Sequence, residues 1–514
     1  MSPFVKKYLV DWDHDEDFGD AEEDITADVI SWKTFRGREG GSQLTAKSMA
    51  GTLQILLNDE SGKYSRFNAA SPIFGNILPG RLVAIQTNDS FPYTFPIIFP
   101  GTPIWTGYLE DIVPHVSETG RKTATLTAIG SFAMVQKKVS VSMKTTILTS
   151  DAVIATLDAL AWPAGRRAIE TGLTTMDRWW ADFKNGLNVL REIEDTEFGF
   201  LWEKATADIA FADRQFRFTN ARSITAVATF SDDPADSALY SRIEQQGPIQ
   251  DIFNIIEATV QGYTVGGEAT LWTLSESGAD SPFIVDGDTR NFWASYPNPD
   301  SATNAWGVDA WRDPLVENTD YEANTQADGG GVDKSGILSI VLTKFGNRMK
   351  IAVTPTGSDV YLTLLQGRGT PITRKDPVTV SDQDDASILL YQARTFPIPA
   401  KFIPNTTEAR SYVAYLKGIY AGPIPMLRIW MIASVSQASM AAAVGVDINE
   451  RVDIVAANKT GLGITQPFIV EAIRHVIGED KVHWVILDVT SVESFSGAWI
   501  IGTTSAGDEM ELIY

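Results

Sequence analysis

The sequence contains no cysteine among its 514 residues and only four histidines. Without cysteine, disulfide bonds, thiolate metal ligands and cysteine nucleophiles are excluded. Basic residues are scarce as well: 42 lysines and arginines stand against 65 acidic residues, a formal net charge of −23. A chain this acidic is not expected to wrap nucleic acid with a basic surface or to adhere to anionic membranes. The missing cysteines fit a protein assembled inside a reducing cell.

Long hydrophobic runs are also missing. Residues 1–17 have no apolar core long enough for a signal peptide. The longest apolar stretch, residues 424–434, is about half a bilayer span and contains Arg428, so we expect no transmembrane helix. Hydrophobic residues make up 44% and charged residues 21%, values typical of a folded protein. At about 150 residues per domain, the length predicts three or four domains.

The hydrophobic periodicity predicts a strand-rich module at each end of the chain. Alternating or β-branched runs separated by turn residues predict strands at 51–59, 81–88 and 123–130, and strands return after residue 424. Between the ends, helices predicted after residue 149 and after Asn185 precede a hairpin within 198–218, which indicates a small α/β domain. Leu157 and Leu190 are placed on the buried faces of those helices. Residues 262–380 carry many short β-type runs and long loops, which favour a β-sandwich.

Candidate caps mark the helix starts. Ser150 and Ser381 each precede a helical pattern. Asn405 and Glu408 stand at capping-box spacing before a third.

Catalytic motifs are missing from the sequence. It has no HExxH, CxxC, GxSxG or GxxxxGK[ST] string, and no GxGxxG that opens a helix. His475 and His483 flank a predicted turn, and we interpret them as half-buried strand histidines. We therefore nominate no catalytic residue and no cofactor site.

The acidic opening is the sharpest local feature. Ten acidic residues and no lysine or arginine lie between Asp11 and Asp28. Five of them match positions 1, 3, 5, 7 and 12 of an EF-hand calcium loop: Asp11, Asp13, Asp15, Asp17 and Glu22. Glu16 stands where that loop requires glycine. Two hypotheses stay open: a calcium loop, and a solvated acidic loop at an interface.

Three tryptophans lie in the long loops of the predicted sandwich: Trp293, Trp306 and Trp311. Exposed aromatic side chains on loops stack on sugars or anchor a partner, whereas buried ones fill domain junctions. The sequence does not decide between exposed and buried positions, so the three are candidate residues for binding a receptor glycan.

Several strings, in this order and spacing, resemble the tail hub (minor tail, or baseplate hub) proteins of long-tailed bacteriophages, siphophages in particular. They include YLVDWDHDEDFGDAEEDITADVISWKTFRGR (residues 8–38), GTLQILLNDESGKYSRFNAASPIFGNILPGRLVAIQ (51–86), PIWTGYLEDI (103–112) and LNVLREIEDTEFGFLWE (187–203). Near the end they include INERVDIVAANKTGLG (448–463), FIVEAIRH (468–475) and SFSGAWIIGTTS (494–505). The likeness covers about two thirds of the chain; residues 263–395 are less diagnostic.

The resemblance implies a mainly β fold with α+β insertions: two hub-type β-barrels, a small α/β domain and a β-sandwich. The implied boundaries are 1–145 for the first barrel, completed by about 222–262; 146–221 for the α/β domain; 263–395 for the sandwich; and 396–514 for the second barrel with a helix.

The resemblance also implies a role. Such hubs are homotrimers that join a sixfold tail tube or distal tail ring to a threefold tip. Their implied partners are the distal tail protein, the tape measure protein, a central spike or fibre protein, and DNA in transit. The implied location is the tail tip of a virion assembled in a bacterial cytoplasm, and the implied role is structural, not enzymatic.

Alternative functions are a tail-associated cell-wall hydrolase and a receptor-binding tail protein that recognises a host-surface glycan. A gene-transfer particle would use the same kind of chain as a phage. If the chain is a hub protein, its negative charge suggests that carboxylates line the lumen of the trimer, so that DNA phosphates are repelled and slide through.

Overall fold

The computed structural model describes residues 6–38, 46–87, 102–118, 120–236, 238–246, 251–296, 305–398, 403, 405–492, 498–500 and 511–513. The described chain is mostly β-strand with α-helices inserted between the strands, which confirms the mainly β fold class with α+β insertions. Most of the string SFSGAWIIGTTS (494–505), which is part of the resemblance, lies outside the described residues. No helix in the described part of the chain is long and apolar enough to cross a membrane.

The strands before residue 150 are β1 (Lys6–Val10), β2 (Val29–Gly37), β3 (Met49–Asn58), β4 (Leu82–Thr87), β5 (Thr102–Val116), β6 (Lys122–Ile129) and β7 (Lys138–Leu148). Residues 151–260 contribute β8 (Arg167–Ile169), β9 (Thr175–Asn185), β10 (Phe200–Glu203), β11 (Ile209–Ala212), β12 (Ala228–Ser231), β13 (Arg242–Gln246) and β14 (Ile255–Val260).

The middle of the chain contributes β15 (Tyr263–Val265), β16 (Ala269–Thr273), β17 (Phe283–Ile284), β18 (Arg290–Ser295), β19 (Ala305–Trp311), β20 (Tyr321–Asn324), β21 (Leu338–Lys344), β22 (Arg348–Pro355), β23 (Val360–Arg374), β24 (Val378–Gln383) and β25 (Thr395–Ile398). The last strands are β26 (Met426–Ile432), β27 (Arg451–Ala456), β28 (Ile464–Ile477), β29 (His483–Ser491), β30 (Ala498–Ile500) and β31 (Glu511–Ile513).

The α-helices are α1 (Ser131–Met134), α2 (Thr149–Ala159), α3 (Gly186–Glu197), α4 (Phe216–Thr219), α5 (Ala221–Ile224), α6 (Asp385–Tyr391), α7 (Thr406–Tyr420) and α8 (Gln437–Val444). Short 3-10 turns lie at Thr26–Asp28, Ala164–Arg166, Gly278–Asp280, Ser335–Ile337 and Ala433–Val435.

Side-chain caps explain where several helices begin. Asn185 accepts a hydrogen bond at the start of α3, and Asn405 accepts one from the backbone N–H of Glu408 at 2.8 Å, as predicted. The two predicted serine caps are wrong. Ser150 already lies inside α2, and Asp384 rather than Ser381 caps α6, because α6 begins later than the sequence pattern indicated.

One sheet of twelve strands runs through both ends of the chain. Six of its strands pair in the order β2-β3-β6-β5-β4-β1, which we call the first module. Six others pair in the order β13-β26-β29-β28-β27-β12, which we call the second module. The two modules join where β2 pairs antiparallel with β28. Over the described strands the pairing order is open at β1, β12 and β13.

The hydrophobic interior is divided in the same way. The largest core cluster takes side chains from both modules, and a second one fills the space around α2, α3 and the β10–β11 hairpin. Leu157 and Leu190 are fully buried in that second cluster, which confirms the predicted helix faces. Around β23 and β22, two sheets share a further core, and α7 packs on β14 and β24 over another.

Candidate functional site

The two modules are equivalent strand by strand. If the pairing orders are laid side by side, β2 corresponds to β13, β3 to β26, β6 to β29, β5 to β28 and β4 to β27. The paired registers match as well: Ala128 lies opposite both Leu53 and Leu109, and Val489 lies opposite both Leu427 and Val470. The sixth pair of strands differs, because β1 runs antiparallel to β4 whereas β12 runs parallel to β27.

Irregularities of the backbone repeat at the same positions. The register of β5 shifts between Leu109 and Asp111, and that of β28 shifts between Val470 and Ala472, so each strand has a bulge at the same place. The N–H of Leu109 bonds Arg81 O at 2.7 Å, and the N–H of Val470 bonds Glu450 O at 2.9 Å. Shared bulges and loop contacts of this kind indicate one supersecondary unit used twice in the chain.

The residue before each of those loop contacts adopts a left-handed backbone. Gly80 has φ +87° and donates its N–H to Leu109 O, while Asn449 has φ +66° and donates to Val470 O. Glycine and asparagine are the two residues that tolerate this conformation most readily. The repeat is therefore visible in the backbone where the side chains have diverged.

A short antiparallel ladder joins the modules. Trp32 of β2 lies opposite Ile477 of β28, and the register continues to Gly37 opposite Ala472. A Cβ at Gly37 would lie 2.7 Å from the Cα of Ala472, and its φ is +108°, so only glycine fits this close approach. The contact places β2 against the outer edge of β28 beyond the bulge.

A buried cluster of charges lies at this junction. Glu471, in the bulge of β28, accepts from Arg217 at 2.8 Å and from Arg38 at 3.0 Å. Arg217 also donates to the side-chain oxygen of Asn449 at 2.7 Å. Burial raises the pKa of Glu471, but the two guanidinium groups outweigh that effect and hold the pKa below its usual value. The carboxylate is therefore charged and fully partnered inside the protein.

Arg36 extends the cluster to the small α/β domain. Its guanidinium donates to Asp447 at 2.7 Å and to the backbone oxygen of Glu203 at 3.2 Å. The Glu203 carboxylate is completely buried and accepts from the backbone N–H of Gly51 at 2.6 Å and from that of Phe132. Burial raises the pKa of Glu203 to about 7, against the opposing effect of these hydrogen bonds.

The two predicted strand histidines meet beside the junction. His475 Nδ1 lies 3.0 Å from His483 Nε2, and both rings pack on Trp32. Both side chains are almost fully buried, more so than the half-buried positions predicted from the sequence. Burial lowers the pKa of His475 to about 3, with Arg36 and Lys6 adding to the effect, and it lowers that of His483 as well. This pair is neutral and structural.

In the acidic segment near the N-terminus, backbone N–H groups donate to carboxylates of the same segment. Asp11 is fully buried, and its carboxylate accepts from the N–H of His14 at 2.5 Å and of Glu16 at 3.1 Å. His14 and Glu16 both have a left-handed backbone, with φ of +74° and +70°. Glu16 therefore takes the turn conformation for which an EF-hand loop uses glycine. The hydrogen bonds to Asp11 compensate for the strain of these two positions.

Glu23 closes the other side of the loop. Its carboxylate accepts from the N–H of Trp12 at 3.2 Å and of Asp20 at 2.9 Å. Burial raises the pKa of Glu23 to about 7. The pKa of Asp20 is raised by its hydrogen bond to Asp13 and by the negative charges around it. The loop thus concentrates carboxylates that repel one another.

Only part of the predicted calcium set comes together in the described structure. Carboxylate oxygens within 4.8 Å of one another belong to Asp11, Asp13 and Asp15. Asp17 instead accepts from the N–H of Gly19 at 2.8 Å, and Glu22 forms an ion pair with Lys63 at 2.7 Å. The three clustered carboxylates have the oxygen chemistry that suits Ca²⁺. Calcium binding stays a prediction.

The three candidate tryptophans lie on strands, Trp293 on β18 and Trp306 and Trp311 on β19, so their predicted placement in loops is wrong. They also differ in exposure. Trp306 and Trp311 are buried: Trp306 packs on Trp180 and Tyr263, and Trp311 donates to the backbone oxygen of Phe345. Trp293 is 44% exposed and stacks on Phe345 at 5.8 Å. Of the three, only Trp293 offers an exposed ring, and glycan binding stays a prediction for that residue.

Sequence reasoning did not find the charge cluster around Glu471. Its members are far apart in the chain, and nothing in the spacing of Arg38, Arg217 and Glu471 indicates that they meet. The one local signal is a charged residue within the otherwise apolar run FIVEAIRHVI of β28. A glutamate within a buried strand requires a basic partner.

No protein-family model matches the chain, and no curated protein matches it by sequence. Solved structures of phage tail proteins do match. The 43 kDa tail protein of prophage MuSo2 from Shewanella oneidensis has 10% identity and a TM-score of 0.49, covering 96% of this chain and 99% of that one. A tail protein from Neisseria meningitidis MC58 has the same identity and score, covering 96% and 98%.

A third match is the prophage tail protein gp18 from Listeria monocytogenes EGD-e, with 8% identity and a TM-score of 0.38, covering 96% and 97%. These neighbours are phage tail proteins, the class that the sequence resembles. At these identities and scores the likeness carries no argument about what this chain binds or does.

Proposed function

We propose that this chain is a non-enzymatic structural component of a phage tail. In this proposal three copies form a hub ring at the tail tip. The ring joins the sixfold tube or distal tail ring above to a threefold tip below. It also holds the end of the tape measure and forms part of the channel through which DNA leaves.

The observation that carries the proposal is the strand-by-strand equivalence of the two modules. A tube with sixfold symmetry presents six equivalent surfaces, and a chain with two equivalent modules matches two of them. Three such chains then match all six while keeping only threefold symmetry themselves. The resemblance in the sequence supports the same number of copies.

The contact between the modules supports a ring. Inside the chain, β2 of the first module contacts β28 of the second, so two different surfaces meet. A contact between unlike surfaces is heterologous, and repetition of such a contact gives a closed ring or an open helix. The proposed ring is the closed case, with the same contact repeated around the axis.

The charge supports a passage for DNA. With a net charge of −23 per chain, carboxylates that face the bore would repel phosphates, and DNA would pass without being held. Locating the acidic side chains in an image of the assembled ring tests this part. A bore lined by neutral or basic residues would contradict it.

The oligomeric state is tested by native mass spectrometry of the purified full chain, followed by cryo-electron microscopy of the tail particle. We expect a species of three times the 56.2 kDa chain mass and density for the chain at the tail tip. A chain that stays monomeric at the concentrations used for imaging, or that lies along the tail shaft, would overturn the proposal. Clearing of host cell walls in a zymogram would overturn its non-enzymatic part.

A further inference from the structure

Two of the strand edges without a strand partner in the described part of the chain belong to the strands that correspond to β2 and β28. One is the outer edge of β13, which pairs with β26 alone. The other is the second half of β5, residues 111–116, which pairs with β6 on one side only, since β4 pairs no further than Tyr108. Unpaired strand edges are templates for pairing with another chain.

We propose that β13 of one chain pairs antiparallel with residues 113–116 of β5 in the next copy of the same chain. This inference rests on the proposed ring and names its contact between subunits. Within the chain, β2 pairs with the outer edge of β28 beyond the bulge. Because β13 corresponds to β2 and β5 corresponds to β28, the same contact repeated once more joins β13 to the outer edge of β5.

The equivalence fixes the register. Lys33 lies opposite Val476 at the junction inside the chain. Glu244 holds the position of Lys33, because Lys33 pairs with Gln54 of β3 and Glu244 pairs with Arg428 of β26. Counting from the shared bulge, His115 of β5 holds the position of Val476 in β28.

Glu244 of one chain therefore lies opposite His115 of the next. By the same count, Ile243 lies opposite Val116, Gln245 opposite Pro114 and Gln246 opposite Val113.

The side chains at these positions suit the pairing. Val116 is 70% exposed and Val113 is 44% exposed, so the end of β5 presents two apolar side chains to solvent. In the proposed register Val116 is covered by Ile243. The Glu244 carboxylate faces the His115 imidazole, a pair of complementary polarity. The contact thus covers the apolar end of β5.

On the free edge of β5, a backbone N–H bonds a side chain and not another strand. The N–H of Ile112 bonds the side chain of its neighbour, Asp111, at 2.8 Å. Its equivalent, Ile473, lies opposite Arg36 in the ladder inside the chain. The Ile112 N–H thus has a side-chain acceptor at a position where its equivalent has a paired strand opposite it.

Pro114 limits the number of hydrogen bonds that this edge of β5 can donate. Proline has no N–H and is found in sheets at free edges, so the ladder between chains has fewer donors than the one inside the chain, where His475 holds the same position. Edge prolines also keep exposed strands from pairing indiscriminately. The contact between chains is therefore weaker than the junction inside each chain.

Disulfide cross-linking tests the register, because the chain has no cysteine of its own. Two single variants, Glu244→Cys and His115→Cys, are given different tags, co-expressed in the full chain and oxidised. We expect a mixed dimer on a non-reducing gel and no dimer from either variant alone. Replacing His115→Cys by Val113→Cys should abolish the mixed dimer, since positions two residues off register lie about 7–8 Å apart, beyond the reach of a disulfide.

The matched control is the double variant Lys33→Cys/Val476→Cys, which should form a disulfide within one chain. If native mass spectrometry shows a trimer and the control bond forms, but no mixed dimer appears, the strand pairing is wrong and the ring stands. A dimer from Glu244→Cys alone would show a contact between like surfaces and would also refute the pairing. If only monomers are found, both the pairing and the proposed ring fail.

Discussion

The buried pair His475 and His483 should make the second module sensitive to acid. The two rings contact each other and pack on Trp32, and they lie where β28 and β29 pair. Within the described residues, Nδ1 of His483 has no hydrogen-bond partner. The tautomer in which His483 Nε2–H donates to His475 Nδ1 leaves only a lone pair unpartnered, which costs less than an unpaired N–H. Among the described residues, the charges that act on the two rings are positive, and they disfavour a proton there.

The sign of the effect follows from the lowered pKa values. In the unfolded chain each histidine takes up a proton below about pH 6.5, whereas the folded pKa of His475 is about 3. Stability is therefore complete above pH 6.5 and is lost as the pH falls from 6.5 toward 3. At pH 5 the loss is about 2 kcal/mol for His475. The pKa of His483 is lowered as well, so this residue adds to the loss.

Removing the His475 ring should remove its part of the loss of stability. We predict that His475→Gln lowers the free energy of opening at pH 7 but loses about 2 kcal/mol less than the wild type between pH 7 and pH 5. The matched control is His115→Gln, which removes an exposed histidine of β5 and should keep the full acid sensitivity. Glu203, with its raised pKa, changes stability in the opposite direction, but it is present in all three proteins and cancels in the comparison.

Hydrogen exchange followed by mass spectrometry is the suitable assay. A chain with several cores does not unfold in one step, so protection must be measured for peptides of β28 and β29. Protection factors, corrected for the intrinsic pH dependence of exchange, give the local free energy of opening. If His475→Gln and the wild type lose the same amount between pH 7 and pH 5, the histidine pair is not the source of the acid sensitivity.

Other predictions concern the junction, the α/β domain and the acidic loop. Glu471→Gln should destabilise the junction by about 3–5 kcal/mol, because it leaves Arg217 and Arg38 without their buried anion; an unchanged melting temperature would contradict the ion-pair assignment. Gly130→Ala should shift the melting temperature downward, since its Cβ would overlap the Glu203 carboxylate, whereas Gly165→Ala, with open space around its Cβ, should not. For calcium, isothermal titration should show heat that Asp13→Asn removes; no heat from micromolar to millimolar Ca²⁺ would refute the hypothesis.

Local signals predicted the parts of the fold that depend on neighbouring residues. The cap at Asn405 and the buried faces of α2 and α3 follow from spacings of three or four residues, and they were predicted. The cap at Asn185 was not, although a helix was expected after it. The misplaced caps at Ser150 and Ser381 show the limit, because several polar residues near a helix start compete and small shifts decide which one caps. Element types were thus more predictable than element ends.

The junction between β2 and β28 could not be predicted from patterns among neighbouring residues. The ladder between β2 and β28 joins residues more than 430 positions apart, and a strand's edge carries no sequence mark of its partner. The equivalence of the modules was expected only through the family resemblance, because their side chains have diverged. For the acidic loop the sequence placed Asp11, Asp13 and Asp15 together correctly as neighbours, but it could not foresee that Lys63, from a distant loop, pairs with Glu22.

The buried charges around Glu471 occur at one of two corresponding places, and this has a mechanical consequence. Its counterpart in β5, Glu110, is exposed. In a ring of such chains, stiff contacts within chains would alternate with softer contacts between them. Under an applied force, such a ring would deform at its three contacts between chains and not at the three junctions within chains. Each chain would then move as one rigid body. If the proposed ring is a channel for DNA, it could dilate at those three points while every chain stays folded.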